Sequence, residues 1–106
     1  MPLFMTQFSY TPEALVKIAD EAEGRKAATE EHLEKIGGKL HSFYFTMGDC
    51  DGIAIYETPD FESAFGLRAA VFSAGFLREC RTTQLLSVES GAMALKAAGA
   101  LPIHSP

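Results

Sequence analysis

The sequence lacks most of the residues and motifs that would indicate a particular reaction or a negatively charged partner. It has no tryptophan and only two cysteines, with no Cys-x-x-Cys motif. Lys and Arg number 9 against 14 Asp and Glu, which gives a net charge of −5. Nucleic acids and anionic membranes bind clustered basic residues, so neither is a predicted partner. No apolar run is long enough to span a bilayer, and no basic segment precedes the apolar N-terminus, so neither a membrane helix nor a signal peptide is predicted.

The few cysteines and histidines predict neither a disulfide nor a metal site. A chain of 106 residues is long enough to form a core without a disulfide, so Cys50 and Cys80 predict a cytoplasmic protein with reduced thiols. His32, His41 and His104 fall in different predicted elements and lack the spacing of metal ligands. No metal and no cofactor is therefore predicted.

The first third of the chain has the pattern of a strand followed by helix. Aromatic and apolar residues alternate over 3–10, which is typical of a strand. Thr11 can cap a helix that has Pro12 at its first position, and Gly37-Gly38 is suited to end it. Gly24 weakens the middle, so the pattern predicts either one long helix or a kinked pair.

The rest of the chain repeats this order. The predicted elements are a strand over 39–47, a turn over 48–51, a strand over 52–57, a helix beginning at Thr58-Pro59-Asp60 and ending near Gly75, a strand over 79–88, and a short helix over 90–98 with a tail after it. The order β-α-β-β-α-β predicts an α+β, ferredoxin-like fold with an antiparallel sheet and an extra C-terminal helix. We expect a single domain over 1–106, with a core over 1–88 and the C-terminal helix and tail over 89–106.

Large apolar side chains are expected on both faces of this sheet. In the strand over 39–47, the alternation places Leu40 and Tyr44 on one face and His41, Phe43, Phe45 and Met47 on the other. The phenylalanines of the second helical region, Phe61, Phe65, Phe72 and Phe76, are predicted to be core. Because the helices cover only one face, the other should bury its apolar side chains against a second copy of the chain. A homodimer or higher homo-oligomer with face-to-face sheets is predicted.

The stretch from Phe43 to Asp60 resembles the GYD-domain family of small bacterial and archaeal proteins. Further similarity lies in Tyr10-Thr11-Pro12-Glu13, in Gly37-Gly38-Lys39-Leu40 and in Arg81-Thr82-Thr83. The resemblance implies a ferredoxin-like domain of the dimeric α/β-barrel type. The family has no settled activity, so the resemblance implies a fold more than a function.

One position departs from the family pattern. Cys50 stands beside Asp51 where the family has tyrosine, which removes a hydroxyl from that site. Gly48 and Asp51 match, and we expect local roles for both, with glycine permitting the turn and aspartate bonding backbone N–H groups two residues on. The flanking acids Asp49 and Asp51 should suppress the Cys50 thiolate, and Cys80 is expected to pack as a small hydrophobic residue.

Two functions from different classes are compatible with the sequence. The first is a non-catalytic oligomeric domain that binds a small molecule or has a structural or regulatory role. The second is a cofactor-free enzyme, similar by fold to monooxygenases and lactone isomerases that hold conjugated ligands between sheet and helices. The candidate catalytic residues are His41, or an adjacent carboxylate, as base and Arg81 as anion stabiliser. The candidate ligand-binding residues are Tyr44, Tyr56 and Asp51.

Both catalytic candidates also have structural alternatives, and for His41 the structural role is favoured. His41 could bond a neighbour across the dimer, and Arg81 could form an ion pair with Asp49, Asp51 or Glu57 from adjacent strands. A cavity between sheet and helices that both side chains face would favour the enzyme. Positions in an interface or in solvent would favour the binding domain.

Overall fold

A four-stranded antiparallel sheet organises the chain, of which the computed structural model describes residues 1–103. The elements are β1 (Leu3–Tyr10), α1 (Pro12–Glu21), α2 (Gly24–Lys35), β2 (Lys39–Phe45), β3 (Gly52–Glu57), α3 (Phe61–Ser73), β4 (Leu77–Leu85) and α4 (Val88–Gly99). The strand order is β2-β3-β1-β4, and all neighbours are antiparallel. This topology confirms the predicted α+β, ferredoxin-like fold. Within residues 1–103, no helix combines the length and the apolar character needed to cross a membrane.

One face of the sheet is covered by helices and forms the core. The register places Phe8 of β1 opposite Cys80 of β4 and Phe4 opposite Tyr56 of β3, so these side chains share that face. All four are buried. Helix α2 lies against β2 and helix α3 against β4, which leaves a gap between the two helices above the middle of the sheet.

The two predicted helix starts differ in detail. Thr11 caps α1 as predicted, because its hydroxyl accepts a hydrogen bond from the Ala14 N–H at 3.2 Å. The second helix has its cap at the last residue of the predicted start Thr58-Pro59-Asp60. Asp60 caps α3, with its carboxylate accepting from the Ser63 N–H at 2.7 Å. Thr58 is fully buried and donates its hydroxyl to the Asp60 carbonyl.

The predicted helical region over 12–36 is a pair of helices, since α1 ends at Glu21 and α2 begins at Gly24. The predicted stop at Gly37-Gly38 is confirmed. Gly37 has a φ of 79°, a conformation that favours glycine. A Cβ on Gly38 would lie 2.6 Å from the Glu57 carbonyl oxygen, so the chain passes β3 too closely for any side chain.

The predicted phenylalanine core of α3 is wrong. Phe61, Phe65 and Phe72 are 56%, 64% and 41% exposed, although the Phe61 ring still approaches the buried Phe4 ring, with centroids 6.2 Å apart, and Phe76, just beyond the helix, packs against the core. The side chains of α3 that face the core are Ala64, Leu67 and Val71. These three have helical spacing of their own, and the small Ala64 lets the helix lie close to the sheet. The bulkiest stripe of the helix therefore faces outward.

A register shift in β2 corrects the predicted distribution of its side chains. Leu40 lies opposite Tyr56, and Phe43 lies opposite Ala54. Along β2 the two residues are three positions apart, whereas their partners on β3 are only two positions apart. His41 is the extra residue of this bulge. Leu40 and Phe43 therefore share the helix-covered face, and His41 does not lie there with Phe43.

The connection between β2 and β3 is held by Thr46. Its N–H donates to the Asp51 carbonyl at 2.9 Å, and its hydroxyl donates to the Cys50 carbonyl at 2.6 Å. Gly48 has no positive φ and open space around it, so the turn does not require glycine there. Met47 is fully exposed beyond the end of β2, and not on a sheet face as predicted.

Strand β4 begins at Leu77 and ends at Leu85, earlier than predicted, so α4 also begins earlier, at Val88. Every residue of α4 except Gly91 is exposed. Among them are the apolar side chains of Val88, Met93 and Leu95. Of the predicted tail, residues 104–106 lie outside the described part of the chain.

Candidate functional site

A cavity of about 90 Å³ lies between the helix-covered face of the sheet and the gap separating α2 from α3. The sheet forms its floor, the two helices form its walls, and aromatic rings close its ends. Its lining residues are Thr6, Phe8, Tyr10, Arg25, Thr29, His32, Leu33, Phe43, Ala54, Tyr56, Leu67, Arg68, Val71, Phe76, Leu77 and Cys80.

The floor carries a chain of hydroxyl groups. The Tyr56 hydroxyl lies 2.7 Å from Thr6 Oγ1, which lies 2.9 Å from Thr82 Oγ1. The contacts follow from the register, because Thr6 of β1 lies directly opposite Thr82 of β4. Burial raises the pKa of Tyr56, and the hydrogen bonds with Thr6 and Thr82 oppose this in part. Tyr56 is therefore a neutral phenol at neutral pH, able to donate or accept a hydrogen bond.

One end of the cavity is formed by Tyr10, Arg25 and Phe76. The Arg25 guanidinium lies 5.4 Å from the centre of the Phe76 ring, which stacks on Tyr10 with centroids 6.5 Å apart. Burial raises the pKa of Tyr10, and the positive charge and contact of Arg25 oppose this. The Arg25 Nε is buried and forms no hydrogen bond with any other side chain or backbone group of residues 1–103.

The rim of the cavity is also basic. Arg68 of α3 donates to the Cys80 carbonyl at 3.1 Å, and its guanidinium lies 5.9 Å from the centre of the Phe72 ring. His32 of α2 is exposed at the opposite wall. Among the described residues that line the cavity, three are basic and none is acidic, whereas the whole chain carries −5.

Cys80 lies on the floor as a buried, protonated thiol. It is 7% exposed, and burial raises its pKa. Since only the thiolate is a good nucleophile, the residue contributes packing, as predicted from the sequence.

His41 and Arg81 lie away from this cavity and from each other. They belong to β2 and β4, the opposite edges of the sheet, so about 14 Å of sheet separates their strands at the usual strand spacing. His41 Nε2 lies 3.6 Å from Glu57 Oε2. Arg81 Nε lies 2.8 Å from Glu79 Oε1, two residues earlier on the same strand, so the ion partner is none of the three predicted.

Of the three ligand-binding candidates, only Tyr56 lines the cavity. Tyr44 is 60% exposed and lies opposite Ile53, on the face without helices. Asp51 accepts a hydrogen bond from the Tyr10 N–H at 2.9 Å. Asp51 thus joins the hairpin to β1, which differs from the predicted bond to an N–H two residues on.

The face without helices has a second hollow, of about 140 Å³, at the hairpin end of the sheet. It is lined by Gln7, Ser9, Asp49, Cys50, Glu79 and Arg81. Arg81 pairs with Glu79 there, Asp49 adds a second carboxylate, and the Cys50 Sγ contacts Thr46 Oγ1 at 3.4 Å. Within residues 1–103, no three His, Cys, Asp or Glu side chains converge as metal ligands would; His104 lies outside that range.

The basic residues of the cavity were not among the sequence candidates. Arg25 lies four positions before Thr29 and eight before Leu33, the buried residue of α2, so the helical spacing was a usable signal. For Arg68 the spacing gave no such signal, because Arg68 shares it with Phe65 and Phe72, which are exposed. No local pattern shows that α2 and α3 cover the same face of the sheet.

Comparison with known proteins places these observations in a family. The family model of the GYD domain matches residues 4–95. A solved structure of the protein Atu4242 from Agrobacterium tumefaciens is 12% identical, with a TM-score of 0.49 over 83% of this chain and 94% of that one. An uncharacterised NIPSNAP domain protein from Burkholderia xenovorans is 15% identical, with a TM-score of 0.47 over 83% and 95% of the two chains. Among curated proteins, none matches the sequence.

Proposed function

This chain belongs to the GYD-domain family, and from that premise we propose that it is a non-catalytic domain that binds a small molecule. The family carries no settled activity, so the proposal rests on the cavity between the sheet, α2 and α3. One observation carries it: aromatic rings, a hydroxyl-bearing floor and a basic rim converge on one cavity, which opens through the gap between α2 and α3. Ligand sites combine an apolar lining with a few placed polar groups in this way.

The lining of the cavity favours an aromatic ligand, and its size limits that ligand to one ring that is only partly enclosed. The volume of about 90 Å³ is smaller than the roughly 150 Å³ that holds benzene in an engineered protein cavity, so part of the ring must lie in the gap between α2 and α3. The gap between α2 and α3 leaves room for a substituent to reach the basic rim. Phe8, Phe43 and Phe76 offer ring edges and faces to an aromatic or conjugated ligand.

The positions of the side chains that could act in catalysis support binding without catalysis. His41 and Arg81 lie on different strands outside the cavity, so they form no base and anion-stabiliser pair around it. Inside the cavity, burial keeps the Cys80 thiol and the Tyr56 phenol protonated. Among the described residues that line the cavity, His32 is the one imidazole that could serve as a base, and it lies exposed at the wall and not on the floor.

We also infer that the domain acts as a homodimer in the cytoplasm. Support for the dimer comes from the face without helices, where Met5, Ile53 and Ile55 are half-buried and Tyr44 is 60% exposed. Apolar side chains of this kind usually mark an interface. The two free thiols support a reducing compartment.

Filling the cavity tests the binding proposal. Ala54 is 4% exposed on the cavity floor, so Ala54→Leu puts a larger side chain into the ligand space. We expect isothermal titration with benzoate and with benzamide to detect binding of at least one compound by the natural chain, and a loss of at least about tenfold in the variant. Ile53→Leu changes the neighbouring residue on the opposite face and should bind as the natural chain does.

The proposal fails if neither compound binds the natural chain, or if Ala54→Leu binds as well as Ile53→Leu does. Thermal unfolding of both variants shows that a loss of binding does not come from a loss of structure.

A further inference from the structure

The charge of the cavity identifies the class of ligand within the proposed function. We propose that the cavity selects a small monocyclic carboxylate, aromatic or conjugated, whose ring lies among the phenylalanines and whose carboxylate binds Arg25. This inference rests on the proposed function, because it assumes that the cavity binds a small molecule at all.

The first support is the sign of the charge on the residues that line the cavity. Arg25, His32 and Arg68 border the cavity without an acidic neighbour among its described lining residues. The chain as a whole is acidic, with a net charge of −5 when its histidines are neutral, so the positive charge of Arg25 and Arg68 at one cavity runs against its composition. A cleft lined by one sign of charge attracts ligands of the opposite sign, and low-dielectric walls strengthen the attraction.

The second support is the state of Arg25 itself. Its Nε is buried without a hydrogen bond to any other group of residues 1–103, and its guanidinium packs on the Phe76 ring. A buried donor without a partner costs free energy, which an acceptor from a ligand would recover. Guanidinium groups bind carboxylates through two parallel hydrogen bonds, so a carboxylate fits this donor better than a neutral acceptor does.

Arg68 is less suited to be the principal anion site. It already donates to the Cys80 carbonyl at 3.1 Å and packs on Phe72. It adds positive potential at the rim, while Arg25 lies beside the buried Tyr10 hydroxyl, which can donate a further hydrogen bond to the carboxylate.

A matched pair of ligands tests the inference. Benzoate and benzamide have the same ring and nearly the same size, but only benzoate is charged at pH 7. We expect the natural chain to bind benzoate at least about tenfold more tightly, since hydrogen bonds between charged groups are about twice as strong as neutral ones. Both affinities are measured by isothermal titration at low ionic strength.

The variant Arg25→Gln removes the positive charge and the planar guanidinium group, which can donate two parallel hydrogen bonds to a carboxylate. It should weaken benzoate binding by at least about tenfold and benzamide binding much less, so that the preference is lost, and Arg25→Lys should restore the preference only in part. Lys26→Gln is the matched control, because it removes an equal charge from the next, exposed residue of α2. This control should keep the full preference.

Equal binding of the two compounds by the natural chain overturns the inference and leaves the proposed function intact. A parallel loss of both ligands in Arg25→Gln also overturns it, since that pattern indicates a structural role. If Lys26→Gln loses the preference as strongly as Arg25→Gln does, the attraction is a general effect of charge and not of this site. Failure of both compounds to bind removes the proposed function together with the inference.

Discussion

At the scale of single residues, Asp51 and Gly52 of the family motif pack the hairpin and strand β3 against strand β1. Gly52 lies opposite Phe8, and a Cβ on it would come within 2.5 Å of the Phe8 ring. Asp51 accepts from the Tyr10 N–H at 2.9 Å and donates its own N–H to the Phe8 carbonyl. The motif therefore fixes β3 and the hairpin against the end of β1, where the cavity begins.

Gly52→Ala should destabilise the domain by about 1–3 kcal/mol, the range for overpacking a core. The Phe8 ring must move to admit the new methyl group, and it has little freedom between Tyr10 and Phe43, whose ring centroids lie 5.4 and 5.6 Å from its own. The free energy of unfolding is measured by urea titration.

Gly48→Ala is the control for this change. Gly48 lies in the same hairpin segment with open space around it and no positive φ, so its replacement should change stability by less than about 0.5 kcal/mol. Equal destabilisation by the two variants would contradict the packing role of Gly52.

Individual residues differed in how far the sequence could place them. Thr11 and Gly37 were predictable, because caps and stops depend on the few residues around them. Tyr56 was proposed for ligand binding and does line the cavity. Arg25 was missed, because its role depends on which face of α2 meets the sheet.

At the scale of elements, alternation and turn residues were enough to predict the order of strands and helices. The bounds of β1 and β3 were predicted correctly, since both strands alternate regularly. The bulge at His41 was not predictable, because a register shift depends on the partner strand. The rotation of α3 was missed for a related reason: three large phenylalanines formed a stripe, but the small Ala64 faces the core.

The exposed apolar elements lead to a prediction about assembly. The face of the sheet without helices and helix α4 both present apolar side chains to solvent in a single chain. We expect light scattering to give twice the chain mass of 11.5 kDa. Ile55→Glu places a charge on the open face of the central strand β3 and should yield the monomer mass, because a buried unpaired charge is costly.

Val16→Glu is the control for assembly. Val16 is 71% exposed on α1, away from the open face, and its replacement should leave the dimer intact. A natural chain of 11.5 kDa in solution would contradict the dimer proposal.

At the scale of the whole molecule, the candidate site exists because the topology brings elements that are distant in sequence around one cavity. Its lining comes from β1, α2, β2, β3, α3 and β4, together with Phe76. Sequence patterns place each element but not the gap between α2 and α3, so the cavity could not be predicted from any one segment. The ferredoxin-like order brings Arg25, Tyr10 and Tyr56 around one space although they belong to three different elements.

The location of a bound ligand tests the central claim most directly. A crystal structure of the natural chain soaked with benzoate should place the ring between the sheet and helices α2 and α3, with a carboxylate oxygen about 3 Å from the Arg25 guanidinium. Benzoate bound only on the open face of the sheet, or a cavity that holds water alone at a saturating concentration, would contradict the account.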